Sequence, residues 1–336
     1  MMSAAKSTSK STSKSTATST LTVLIGEDIG DANLKRLREE FSSVDFRVVK
    51  EDAEWLEAAP AAQVIFSKHF PSAALEAAQK LQWVQAGTAG VERLLRAGLP
   101  ERNVLLTNAS GAHGDPISEV ILSQMLAFAT GLHIFIRAQS ERRQVQNEVM
   151  QKKFELSGQT LCVIGLGDIG GTLARKAEAL GMRVTGVRRS GKPAPHVEKV
   201  YATSDLNTAL GEADHVALCL PLTEETNRFI GMAELRAMRP TAYIYNVGRG
   251  ASIDPNALIQ ALQAGWIAGA GLDVTEPEPL PADSPLWGMP NVLLSQHTSG
   301  MSPHNANRIT EIFAANLTRF LAGEPLQQII DPELGY

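Results

Sequence analysis

The sequence predicts an α/β protein: two Rossmann/flavodoxin-like doubly wound parallel sheets with an interdomain active-site cleft between them. Three observations carry that expectation. From Leu21 onward, short β-rich apolar runs alternate with helical stretches, the pattern of parallel α/β layers. The hexapeptide Gly165-Leu166-Gly167-Asp168-Ile169-Gly170 stands between the apolar run Thr160–Ile164 and a helical stretch to Leu180. At 336 residues, with 44% hydrophobic and 20% charged residues, the chain has the length of two domains and the composition of sizeable cores.

The first residues stand apart. Lys6, Lys10 and Lys14 recur every four residues among Ser and Thr, with no acid and no apolar anchor. Such a segment cannot bury enough surface to offset chain entropy, so residues 1–20 are expected to form a disordered tail. It lacks the apolar core of a secretory signal and the arginines of a transit peptide. Strands are then expected at 21–26, 44–49, 63–67, 83–86 and 104–107, with helices at 32–40, around Trp55, and at 73–79. One long helix should follow from Pro116 to Asn147, started by Asp115 and the proline. Its apolar part, Ile117–Ile136, carries Glu119, Gln124 and His133 at helical spacing, and so reads as a buried or interface helix rather than a membrane span.

The second unit reads as strand 161–165, helix 171–180, strands 182–187, 214–220 and 241–247, helix 255–264, and strands 267–273 and 292–295. A closing helix over 303–321 has the length to return to the first unit. The expected division is therefore residues 21–112 plus 304–336 for one domain and 113–303 for the other.

A net charge of −5 offers no basic surface to nucleic acid. Two cysteines, Cys162 and Cys219, lie in apolar strand-like runs, too few for a disulfide framework or a zinc site, which fits a reducing, cytoplasmic setting. The histidines form no spaced ligand cluster, so no metal is expected. His133 and His215 read as packed, His69 and Phe70 as cleft-facing loop residues, and His113 and His304 as hinge neighbours.

The glycine hexapeptide has the context that dinucleotide binding needs: a buried strand, a tight turn and a helix start. Gly165 permits the turn, Gly167 lets backbone amides approach a pyrophosphate, and Gly170 lets helix and strand pack closely. Asp168 and Ile169 complete the turn, and the helix that follows presents its N-terminus to phosphate. An NAD-specific fold needs an acid at the end of its second strand, about 20 residues past the glycines. Here that strand ends in Arg188-Arg189-Ser190, with no acid before Glu198. Two guanidinium groups and a hydroxyl suit a 2′-phosphate, so NADP(H) is the preferred cofactor, with NAD(H) also possible.

Three segments at later strand ends hold polar residues suited to chemistry: Asn246–Gly250, Gly271–Pro279 and Ser295–Gly300. In open α/β sheets ligands bind beyond those carboxyl ends. Arg249 offers a planar charged fork for a carboxylate. His297 is the residue type that exchanges protons near neutrality, and a nearby carboxylate would orient it and favour its charged form.

Together these segments resemble the D-isomer-specific 2-hydroxyacid dehydrogenase family over Leu21 to about Pro332, with the closest look to glyoxylate/hydroxypyruvate reductases. The resemblance implies that Arg249 binds the substrate carboxylate and keto oxygen, that His297 is the acid/base and that Glu278 is its partner. It also implies that Asp273 contacts the nicotinamide carboxamide, that Leu220 and Pro221 form the adenine-side loop, and that Val247, Gly248 and Gly300 complete the cofactor set. After the Trp83-Val84-Gln85 strand, the amides of Ala89 and Gly90 are the implied substrate-carboxylate grip. Formate dehydrogenases place glutamine where Glu278 stands, and the chain ends too soon for the regulatory domain that phosphoglycerate dehydrogenases often carry. Glu92 departs from the more usual aspartate and is expected outside the site. The expected activity is reduction of a small 2-keto acid to its D-2-hydroxy acid by a homodimer joined through the 116–147 helix. The rival reading is a cofactor-sensing binding protein of the corepressor type on the same fold, although no docking extension beyond the Ser/Thr tail is seen.

Overall fold

The structure is a computed structural model that describes residues 20–332 and 334–335; the Ser/Thr/Lys tail lies outside them except for Thr20. The first unit alternates β1 (Leu21–Ile25), α1 (Gly30–Glu40), β2 (Val44–Val48), α2 (Asp52–Ala58), β3 (Val64–Phe66), α3 (Ser72–Ala77), β4 (Trp83–Gln85), α4 (Glu92–Leu95) and β5 (Leu105–Thr107). Its strands form a five-stranded parallel sheet in the order β2-β1-β3-β4-β5. β3 and β4 are buried on both faces, as expected of central parallel strands covered by helices.

Next come α5 (Gly114–Thr130), α6 (Leu132–Ser140) and α7 (Gln146–Lys152). The single helix expected over 116–147 is therefore three, and the bend between α5 and α6 is 73°. Gly131 makes the break. It adopts φ 74° and caps α5 through its N–H to the Phe128 carbonyl, while Val149 of α7 sits where a Cβ would project, at 2.7 Å. The apolar spacing runs on across this corner, which is why the sequence pattern conceals it. No single helix among the described residues is long and apolar enough to cross a membrane; α5 and α6 pass that test only as a bent pair.

The second unit contains β6 (Thr160–Ile164), α8 (Asp168–Ala179), β7 (Arg183–Val187), β8 (Lys199–Tyr201), α9 (Leu206–Glu212), β9 (His215–Leu218), α10 (Met232–Ala237), β10 (Tyr243–Asn246), α11 (Pro255–Gln263), β11 (Gly269–Leu272) and β12 (Val292–Leu294). They form a seven-stranded parallel sheet, β12-β11-β10-β9-β6-β7-β8. β8, α9 and α10 had no counterpart in the sequence reading, being short segments with little apolar periodicity. α11 shows how local chemistry sets an element: the Asp254 carboxylate accepts from the amides of Asn256 and Ala257 at 2.9 Å, and Pro255 occupies the first helical position.

The closing helix α12 (Asn305–Ala322) packs on the first sheet. Phe313 stacks on Phe66 with ring centroids 4.5 Å apart and on Trp83 at 5.4 Å. Asn316 extends that seat by donating to Gln85 and accepting from the Gln327 amide.

Candidate active site

The carboxyl ends of the two sheets supply different chemistry. Beyond β4, the chain turns through Ala86–Val91, and the turn is braced from within. The carbonyl of Thr88 accepts from Ala109, that of Ala89 from the Asn108 side chain, and that of Gly90 from Thr88 Oγ1. Among the described residues, no protein acceptor pairs with the amides of Ala89 and Gly90. At the same sheet end Glu27 accepts from the Lys68 amide, and its carboxyl is pushed up by burial against the opposing pull of Lys68.

Arg249 follows β10 and reaches across to this turn. Its Nη2 would lie 1.7 Å from a Cβ placed on Gly90, so only glycine leaves room for the guanidinium. Its Nε and Nη2 meet the two carboxylate oxygens of Glu92 at 3.0 and 3.1 Å, and Nη1 donates to the Gly248 carbonyl at 2.8 Å. Glu92 thus stands at the predicted substrate arginine, contrary to its expected place outside the site. The reason is its position at the start of α4, directly after the turn, where its side chain points back to the opposing sheet. Its unusual identity was visible in the sequence, but a contact spanning 157 residues was not.

β11 pairs with β10 and β12 with β11, so the β11 loop passes beside Gly250, next to Arg249, and the β12 loop lies beyond it. His297 Nδ1 lies 2.5 Å from Glu278 Oε1. A ring nitrogen this close to a carboxylate carries the proton, which leaves Nε2 as the group directed elsewhere. Both side chains are about half exposed, so the pair is open to a ligand. Gln296 and His297 both have left-handed backbones, with φ of 54° and 57°, an uncommon conformation for side-chain-bearing residues. Asp273 over-determines that loop. Its carbonyl accepts from the His297 amide at 2.5 Å, and its carboxylate takes Ser295 Oγ at 2.7 Å, the Thr298 amide at 3.0 Å and both donors of Ser299. The carboxylate expected at the nicotinamide carboxamide is thus buried and bonded to the histidine loop, and the donors of Ser295, Thr298 and Ser299 were not foreseen. A cavity of about 210 Å³ adjoins Glu278 and Gln296 on the side of Trp287.

The glycine motif forms the expected cradle. Gly165 has φ +95°, and its amide bonds the Val187 carbonyl at 3.0 Å. A Cβ on Gly170 would meet the Gly165 carbonyl oxygen at 1.9 Å, so α8 lies as close to β6 as the third glycine requires, while Gly167 faces open space. Asp168 opens α8, and Ile169 is half-buried beside it. These are the features of a surface that accepts a pyrophosphate. Leu220 and Pro221 follow β9 beside Gly165, and Val247 and Gly248 follow β10, with Gly248 backed on the Leu220 carbonyl. The Gly300 carbonyl is taken by Asn305 at the start of α12.

Arg188, Arg189 and Ser190 extend from β7 next to that turn, Val187 being in register with Ile164. Glu198 is elsewhere: it pairs with Arg183 at the opposite end of β7. The acid that does approach is Glu225, 3.7 Å from Arg189 across an exposed pair. Neither its loop nor its contact was legible in the sequence.

The remaining histidines sort by burial. His215 is fully buried between Gln159 and Tyr245, and burial pushes it down to about 4. His113, at the start of α5, is also lowered by burial, and His304 precedes α12. His69 is exposed, and Phe70 leans on Trp55. Cys162 and Cys219 are free thiols, and burial pushes both up to about 12. Among the described residues no group of three or more His, Cys, Asp or Glu side chains could hold a metal ion.

A family model described as D-isomer specific 2-hydroxyacid dehydrogenase, NAD binding domain, matches residues 122–299. The chain belongs to this family. The dehydrogenase is 34% identical over 267 residues to a glyoxylate reductase of Korarchaeum cryptofilum, covering 77% of this chain and 79% of that protein. A solved D-isomer specific 2-hydroxyacid dehydrogenase family protein from Aeromonas salmonicida matches it with a TM-score of 0.82 and 31% identity, over 94% of this chain and 100% of that one. A D-isomer specific 2-hydroxyacid dehydrogenase from Xanthobacter autotrophicus, solved with NADPH and MES, matches with a TM-score of 0.80 and 28% identity over 94% and 100% of the two chains. The dehydrogenase is thus an NAD(P)-dependent oxidoreductase of two parallel α/β units acting on 2-hydroxy or 2-keto acids.

Proposed function

We propose that this dehydrogenase reduces a small 2-keto acid of the glyoxylate or hydroxypyruvate kind to the D-2-hydroxy acid, with NADPH as the preferred donor. Two observations carry the reading: the Arg249 guanidinium lies against the turn whose Ala89 and Gly90 amides have no protein acceptor among the described residues, and the His297 Nδ1 is held by Glu278. Amides and guanidinium bind a carboxylate from two sides, as its planar geometry favours. His297 delivers a proton from Nε2 to the keto oxygen, and Glu278 stabilises the imidazolium before transfer and fixes its orientation. A dihydronicotinamide held in this seat would supply the hydride for the keto carbon, giving the alcohol and the oxidised cofactor. The named activity of the 34% identical relatives supports a small keto acid.

For the cofactor, the turn Gly165–Gly170 seats the pyrophosphate. Leu220, Pro221, Val247, Gly248, Asp273 and Gly300 line the rest of the seat, with residues 21–112 plus 304–336 and 113–303 as the two closing bodies. Arg188, Arg189 and Ser190 would hold the 2′-phosphate, beside Glu225, which lies 3.7 Å from Arg189. The NADPH seen with the Xanthobacter relative supports this choice. The exposed apolar side chains Leu132, Phe135 and Ile136 of α6, within residues 116–147, form the face through which we infer self-association as a dimer.

The test is NADPH oxidation against glyoxylate, hydroxypyruvate, pyruvate and phenylpyruvate, with chiral analysis of the glycerate formed. Highest kcat/KM for glyoxylate or hydroxypyruvate, with D-glycerate as product, supports the reading. Preference for phenylpyruvate, L-glycerate, or no turnover of any of the four overturns it.

A further inference from the structure

We infer that Glu92 is the positioning residue that sets Arg249 for the keto acid, and that it does so from the opposite sheet. This rests on the proposed role of Arg249 as the substrate anchor and names the group that makes it competent.

A guanidinium carries five N–H donors in one rigid plane. Glu92 takes one from Nη2 at 3.1 Å and sets its other oxygen 3.0 Å from Nε as an ion pair, and the Gly248 carbonyl takes one from Nη1 at 2.8 Å. Each terminal nitrogen thereby has one N–H engaged, and the ion pair along the Nε side holds both the plane and the rotation of the group. One N–H remains on each terminal nitrogen, so the substrate meets a fork already oriented. The side chains are 31% and 27% exposed, partly shielded from the solvent that weakens surface ion pairs.

The backbone adds a second constraint. Glu92 opens α4 immediately after the turn that carries the amides of Ala89 and Gly90, whereas Arg249 leaves β10 of the other sheet. One ion pair therefore registers the two halves of the carboxylate grip against each other. Asn246 supports the arginine side by donating to the Arg249 carbonyl at 2.9 Å while accepting from the Gly248 amide at 3.1 Å. The opposite arrangement, in which Glu92 blocks the site as a stand-in for substrate, would require it to occupy the terminal fork; it occupies the Nε edge instead.

The experiment compares Glu92→Gln and Glu92→Asp with the wild type, each also in an Arg249→Ala background. Readouts are kcat and KM for the keto acids, NADPH affinity, melting temperature, and oxamate binding to the enzyme–NADPH complex by quenching of nicotinamide fluorescence. Glu92→Gln is expected to lower kcat/KM by at least about tenfold through misplacement of the fork. Oxamate binding weakens with it, while NADPH affinity and melting temperature hold. Glu92→Asp, which keeps the charge, recovers most of the loss. In Arg249→Ala, the further change to Gln costs less than about twofold, because the two residues act as one unit. Wild-type activity in Glu92→Gln, tighter oxamate binding, or a full additional loss in Arg249→Ala overturns the assignment. If the wild type turns over none of the four keto acids, the reading of function fails; the oxamate comparison still decides on Glu92.

Discussion

Gly90→Ala asks how closely Arg249 has to be placed. The added methyl would lie 1.7 Å from Arg249 Nη2. Ordinary contact begins near about 3.5 Å, so the guanidinium has to withdraw by about 2 Å or the turn has to open by as much. The guanidinium is the softer of the two, because the carbonyls of Thr88, Ala89 and Gly90 are all bonded within their own sheet end. A misplacement of about 1 Å can cost a hundredfold in rate, so kcat/KM for the keto acid is expected to fall by about 10²-fold, or roughly 2.7 kcal/mol of transition-state stabilisation. Stability should respond differently. Gly90 is not among the residues with positive φ, so alanine is compatible with the backbone and offsets part of the lost ion pair by roughly 0.4–1 kcal/mol through the unfolded chain. The assay is steady-state reduction of glyoxylate and hydroxypyruvate beside a melting curve and an NADPH titration. Activity within about threefold of wild type would refute the claim that Arg249 works from this position.

Other substitutions separate the remaining roles. His297→Asn keeps a residue tolerant of the left-handed backbone and is expected to lower kcat by about 10²–10⁴-fold with melting temperature retained; a smaller loss would remove His297 from proton delivery. Wild-type kcat/KM should favour NADPH over NADH by at least about a hundredfold, from two charge-assisted contacts of roughly 1.5–3 kcal/mol each, and Arg188→Asp with Arg189→Ala should abolish the preference. A wild-type ratio near one would sink the 2′-phosphate assignment. His215 is held neutral by burial at about 4, below the ordinary histidine value of 6.5. The unfolded chain therefore binds the extra proton first, so its contribution is intact above about pH 6.5 and is lost as pH falls toward 4, by roughly 3 kcal/mol in all. His215→Gln should flatten the stability profile in that window, and identical slopes for variant and wild type would refute the linkage.

How much of this was legible in the sequence follows from the range of the interactions. β6, the Gly165–Gly170 turn and α8 are specified within one stretch, because a buried strand, a turn glycine and a close-packing glycine each act on near neighbours. Arg249 and His297 could be picked out because each sits just past an apolar strand run, where a parallel sheet exposes its ligand edge, whereas Glu278 was implied by the family resemblance. The break at Gly131 was hidden for the converse reason: burial on both sides of the corner keeps the apolar spacing continuous, and only the φ of 74° interrupts the helix. Glu225 and Glu92 act on arginines brought near by sheet order, a property that no local pattern contains.

Asp273 shows why the chemistry needs more than its named triad. Two consecutive side-chain-bearing residues at positive φ, Gln296 and His297, cost of order 1–2 kcal/mol each. Left to itself the loop would relax and carry the imidazole away from Glu278. The five bonds that Asp273 makes to residues 295–299 hold it instead, and they come from the residue just past β11, the strand whose loop delivers Glu278. Acid and carboxylate are thus placed by one buried group between them. The same logic recurs across the cleft, where Glu92 fixes Arg249 against the turn beside it. In both places a functional side chain is oriented by a carboxylate, from the adjacent strand end for His297 and from the opposite sheet for Arg249, and the ligand meets groups whose positions were set before it arrived.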